Sequence, residues 1–154
     1  MSRRTGLHFP RSASVLLSLV FLTSLTTGLW WYYLHRWGQV ESEWGDLMPH
    51  PWQKTLLRVH GASAFCAMMS FGFLLARHLP PAWRTRRHRL SGLPLTMLVV
   101  TMIVSGYALY YAGEELRPLA ADVHLYSGLA LPVVLLAHIV QRVTAKRNPA
   151  HGYP

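Results

Sequence analysis

Apolar residues along this chain gather into four long runs, residues 12–34, 55–77, 91–112 and 119–141, and nearly every charge lies outside them, in the short links and the two ends. A bilayer core about 30 Å thick takes roughly 20 apolar residues as a helix, and each run is long enough. The central third of each contains no acid or base. Pro80-Pro81 is expected to end the second run and Gly113 the third, whereas Pro118 stands where a helix start tolerates proline. Links this short force consecutive helices to run antiparallel. The predicted fold is all-α: a single membrane domain over residues 1–154, built as a four-helix transmembrane up-down bundle. No internal repeat is evident.

The first run follows Arg3, Arg4 and Arg11, as the core of a signal peptide would. Its apolar stretch is longer than a usual signal core, and no small-x-small cleavage site comes after it. What comes after it is Trp30-Trp31-Tyr32-Tyr33, an interfacial belt, so a retained helix is expected.

Composition narrows the class. The chain has 154 residues, 51% hydrophobic and 14% charged, and the charged share falls well short of a soluble domain's usual quarter. A mean hydropathy of +0.20 beside a pI near 10.5 excludes disorder and argues against a nucleic-acid binder, which is basic without being this apolar. Cys66 is the single cysteine, which excludes an internal disulfide framework, a zinc site built on several thiolates and covalent c-type haem attachment.

Charge sets the orientation. The segment before the first run, the link after the second and the tail together carry Arg3, Arg4, Arg11, Arg77, Arg84, Arg86, Arg87, Arg89, Arg142, Lys146 and Arg147, and no acid. The other side carries all six acids, Glu41, Glu43, Asp46, Glu114, Glu115 and Asp122, with Arg36, Lys54, Arg58 and Arg117. Basic loops stay cytoplasmic, so both termini are expected inside. The basic face is then a matter of topology and of attraction to anionic lipid. Trp and Tyr crowd the outer end, which suggests an interfacial belt or a docking rim there.

Nine histidines stand out in so apolar a chain. Ionisable residues within spans are costly and are functional candidates, and imidazole is both the commonest metal ligand and the axial ligand of b-type haem. His60 is the sixth residue from Thr55, and His124 the sixth from Leu119, in two runs that both lead inward. The two imidazoles therefore reach the same depth, about 8 Å along their helices at 1.5 Å per residue. Equal height is what a haem clamped between facing histidines requires. Two histidines hydrogen-bonded across the bundle would satisfy the same count.

His124 and His138 are fourteen residues apart, about 40° short of four full turns, so both project from one side of the fourth run, about 21 Å apart. That spacing suits a second haem near the inner face. His78, which shares a face with His60, is the favoured opposite ligand; His8, entering from the same inner side, is its rival. Arg58, just outside His60, is a candidate partner for haem propionates, and snorkelling to headgroups is the alternative.

Four helices, a histidine in the second and two histidines fourteen apart in the fourth resemble the bacterial cytochrome b561 type and the b subunits of membrane hydrogenases and formate dehydrogenases. The stretch from Val59-His60-Gly61 through Ser105-Gly106-Tyr107-Ala108-Leu109-Tyr110-Tyr111 to His124 and His138 looks still closer to short uncharacterised four-helix membrane proteins of proteobacteria. The likeness covers about residues 12–142 and lies in layout more than in a diagnostic motif. It implies bis-histidine haem b, one or two per chain, quinone contact and electron transfer in a bacterial inner membrane. By position, His60 and His124 match the outer haem's iron ligands and His138 one inner ligand. The last ligand in that plan lies near the start of the first span, where this chain offers His8, before Pro10.

The expected function is electron carriage by a multi-pass membrane cytochrome, not the transformation of a substrate. Its candidate partners are the lipid bilayer, quinone, and a periplasmic redox protein or larger membrane complex; nucleic acid is not among them. The alternative is a haem-free accessory or assembly subunit of a larger respiratory-type complex.

Overall fold

The structure, a computed structural model, describes residues 11–84 and 89–147, with side chains described over 12–76, 92–141 and 143–144. His8 lies outside the described residues, and so does the side chain of His78. The described elements are α1 (Arg11–Trp37), β1 (Val40–Glu41), β2 (Leu47–Met48), α2 (Trp52–Arg84), α3 (Arg89–Tyr111) and α4 (Arg117–Arg147). Each helix is long and apolar enough to cross a membrane, over Ser12–Trp37, Trp52–Ala76, Gly92–Tyr111 and Arg117–Gln141. The chain is an all-α, four-helix, multi-pass membrane protein.

The helices overrun the apolar stretches that announce them. α2 continues through Pro80-Pro81 to Arg84, past the prolines expected to end it. A proline supplies no N–H and leaves the carbonyl four residues earlier without its helical donor. Beyond the hydrocarbon core water can fill that place, so the helix outlasts the span. Pro118 sits at the second residue of α4, where its missing N–H costs nothing. Pro94 and Pro132 lie inside α3 and α4.

The chain divides into two compact units, Met1–Leu79 and Pro80–Pro154. Within the first, α1 and α2 form an antiparallel hairpin. The end next to the connection is tied by Gln53, whose Nε2 donates to the Leu34 carbonyl at 3.2 Å. The connection carries a feature the apolar pattern did not predict, a two-stranded antiparallel ribbon pairing Val40 with Met48 and Glu41 with Leu47. Ser42 closes its turn. The Ser42 N–H donates to the Asp46 carbonyl at 2.8 Å, and its hydroxyl accepts from the Asp46 N–H at 3.1 Å. Gly45 takes φ +83°, a conformation that penalises any Cβ. Trp44 stands at the tip, 89% exposed.

Within the second unit, α3 and α4 form another antiparallel hairpin, turned by Gly113, whose carbonyl accepts from the N–H groups of Leu116 and Arg117 at 3.1 Å each. Among the described residues the buried side chains are, apart from Leu34, small or polar: Gln53 and Ser63 in the first unit, Ser105, Ala120 and Ser127 in the second. Many Leu, Val, Met and Phe side chains instead lie outward. That inversion suits lipid, where apolar surface gains nothing by hiding and helices associate through small residues and hydrogen bonds.

Candidate functional site

In the first hairpin, His60 of α2 turns its ring onto α1. Its Nδ1–H donates to the Ser24 carbonyl at 2.9 Å, with the Thr27 hydroxyl oxygen 3.4 Å away. Ser24 is joined to His60 a second time. Its hydroxyl donates to Ser63 Oγ at 2.8 Å, and the Ser63 hydroxyl donates to the His60 carbonyl at 2.9 Å. The ring lies close enough to α1 that a Cβ at Gly28 would sit 3.0 Å from Cε1 and 3.2 Å from Nδ1, so a side chain there would make the ring give way by a few tenths of an ångström.

The second hairpin repeats the plan. His124 of α4 turns onto α3, where its Nδ1 is 3.1 Å from Ser105 Oγ. A Cβ at Gly106 would sit 3.2 Å from its Cε1. Ser127 stands three residues after His124, as Ser63 stands three after His60, and donates to the Val123 and His124 carbonyls at 2.6 and 3.2 Å. Further along, His138 lies over Gly92, with Cε1 4.0 Å from where a Cβ would be. Facing pairs Gly106–His124, Met102–Gly128 and Gly92–His138 step in opposite directions along the two helices, so one register holds throughout.

A carbonyl oxygen can only accept, so the proton of His60 is on Nδ1 and the lone pair on Nε2. Metal-ligating histidines have this arrangement: one nitrogen donates to the protein, which fixes the tautomer and aims the other. The donor chemistry therefore fits an axial ligand.

Sequence reasoning named the histidines but not their seats. Ser24, Gly28 and Gly92 go unnamed there, and Ser105 and Gly106 enter only within the resemblance, although one signal was present: Gly92 and Gly106 are fourteen residues apart, as are His124 and His138. Gly61, beside His60, is exposed, and a Cβ there would meet nothing within 4 Å. Arg58 is exposed. His35 stacks on Trp31 with ring centroids 4.8 Å apart, a belt contact within α1. Among the described residues no three His, Cys, Asp or Glu side chains group as ligands for a metal ion; haem iron asks for two.

No family model matches the chain, and no curated protein or solved structure matches it.

Proposed function

We propose that this protein is a membrane b-type cytochrome that moves electrons across or within a bacterial inner membrane, with His60 and His124 as the axial ligands of one haem b. The observation that carries the reading is the shared seat of the two histidines. The two stand within one residue of the same count from the start of their spans, His60 ninth from Trp52 and His124 eighth from Arg117, and each has its Nδ1 engaged by the preceding helix. Bound there, haem supplies a one-electron ferric–ferrous couple, and the protein supplies spacing, orientation and exclusion of water. His138, over Gly92, is the candidate ligand of an inner haem, opposite His78 or His8. Arg58 is the candidate propionate partner.

Both termini are assigned to the cytoplasm from the distribution of basic residues. Reporter fusions at Asp46 and Arg87 should report outside and inside respectively; the reverse would exchange the inner and outer sites. Quinone, a periplasmic redox protein or a larger complex would exchange the electrons.

The deciding experiment is an absorption spectrum of the detergent-purified protein, oxidised and then reduced with dithionite. A sharp reduced α band is expected. Its absence after expression with ample haem would favour the second reading, a haem-free subunit of a larger membrane complex. One observation supports that reading: the outer aromatics Trp37, Trp44, Tyr110, Tyr111 and Tyr126 are exposed as a partner's contact surface would be.

A further inference from the structure

The two seats differ in what receives the imidazole proton. For His60 it is the Ser24 carbonyl, a main-chain group that no side-chain substitution removes. For His124 the group beside Nδ1 is the Ser105 hydroxyl, 3.1 Å away, which can give or take a proton. That hydroxyl has one proton to give, and the Met102 carbonyl lies 3.2 Å from Oγ. When the carbonyl takes it, Oγ is left as an acceptor, and the proton between Oγ and Nδ1 must belong to the imidazole. The order is then His124 Nδ1–H to Ser105 Oγ–H to Met102 carbonyl. Both imidazoles end on a main-chain carbonyl of the preceding helix, one directly and one through a serine. Ser105 is 5% exposed, so water does not readily replace it.

We infer that Ser105 is a positioning residue that fixes the tautomer and ligand strength of His124, and through them the potential of the haem this histidine is proposed to hold. The inference rests on the cytochrome reading. An imidazole that donates from Nδ1 gains imidazolate character, is a stronger donor at Nε2, and stabilises ferric over ferrous iron. Without the hydroxyl that stabilisation is lost, and the potential rises. His60 keeps its carbonyl and is unaffected.

The test is a redox titration of the purified haem-loaded protein and of Ser105→Ala, Ser105→Thr and Ser105→Cys. Removing a partner of a ligating histidine commonly costs ten- to a hundredfold. Ser105→Ala should therefore shift the ferric–ferrous equilibrium toward ferrous by about tenfold, about 59 mV for a one-electron couple. Ser105→Thr, which keeps the hydroxyl, should restore the native potential. Ser105→Cys, with a weak sulfur acceptor of similar size, should shift it upward as alanine does, and it answers the question if the alanine variant does not fold. Thr96→Ala removes an α3 hydroxyl bonded to the Gly92 carbonyl at 2.9 Å and should leave the potential unchanged. Native protein that takes up no haem overturns the cytochrome reading and this inference together. Native protein that binds haem, with alanine and cysteine variants at the native potential, overturns the role of Ser105 alone.

Discussion

In the first hairpin the histidine is held by a closed circuit, with imidazole to Ser24 carbonyl, Ser24 hydroxyl to Ser63, and Ser63 hydroxyl back to the His60 carbonyl. In the second, Ser127 bonds within its own helix, and one side chain, Ser105, connects imidazole to the facing helix. The first hairpin engages its imidazole through a main-chain carbonyl and two serines, the second through the Ser105 hydroxyl. Alanine at 24 leaves the first contact in place, whereas alanine at 105 removes the second. Hydrogen bonds between membrane helices average about 0.6 kcal/mol and reach about 1.7, so neither seat is a large stability term. Their value lies in where they aim a nitrogen.

The sharpest way to break the equivalence of the hairpins is to remove each imidazole in turn. His60→Ala and His124→Ala should each abolish the same outer haem, lowering the haem-to-protein ratio by one; if either variant keeps the full ratio, the two histidines do not share an iron. Next in size are the glycines. A β-branched side chain at Gly28 or Gly106 would push into the ring, and overpacking of this kind costs about 1–3 kcal/mol. Gly28→Val and Gly106→Val should lower haem occupancy and melting temperature. The effect should be greater at Gly28, where a Cβ would meet the ring at 3.0 Å instead of 3.2 Å. Gly92→Ala should be neutral or slightly stabilising, since a Cβ 4.0 Å from His138 is in ordinary contact and alanine favours a helix by about 0.5–1 kcal/mol. The smallest effect is expected from Ser24→Ala. It removes the link to Ser63, costs about 0.6 kcal/mol in detergent unfolding, and leaves the haem spectrum alone because the carbonyl remains. A spectral change as large as that of Ser105→Ala would erase the contrast between the seats.

The helices were legible because lipid imposes a length of apolar chain, and a run of residues such as Ser91–Ala112 records it directly. Their full extents were not. Trp52 to Lys54 and Arg142 to Arg147 are helical while lying beyond the runs, because the apolar count measures the bilayer and the backbone goes on past it. The ribbon at Val40–Glu41 and Leu47–Met48 was illegible, since two-residue strands have no room for a period. At the site, the positions of His60 and His124 along α2 and α4 followed from counting within each helix. The residues facing them did not, because the partner of a side chain is set by register between helices. A serine at 105 carries no mark that distinguishes it from a serine at 91 until α3 is laid against α4.

The shared fourteen-residue spacing of Gly92–Gly106 and His124–His138 also governs how these helices can change length. One residue inserted between the two glycines would turn Gly92 by about 100° away from His138 while Gly106 stayed over His124. A second insertion between the histidines would turn His138 by the same angle in the same sense, to the opposite side of the seam from Gly92. Insertions there should lower the melting temperature singly and should not rescue one another when combined. Length variation among descendants of this chain would accordingly collect in the ribbon around Gly45 and at residues 112–116, while α3 and α4 would pass down as one ruled scale.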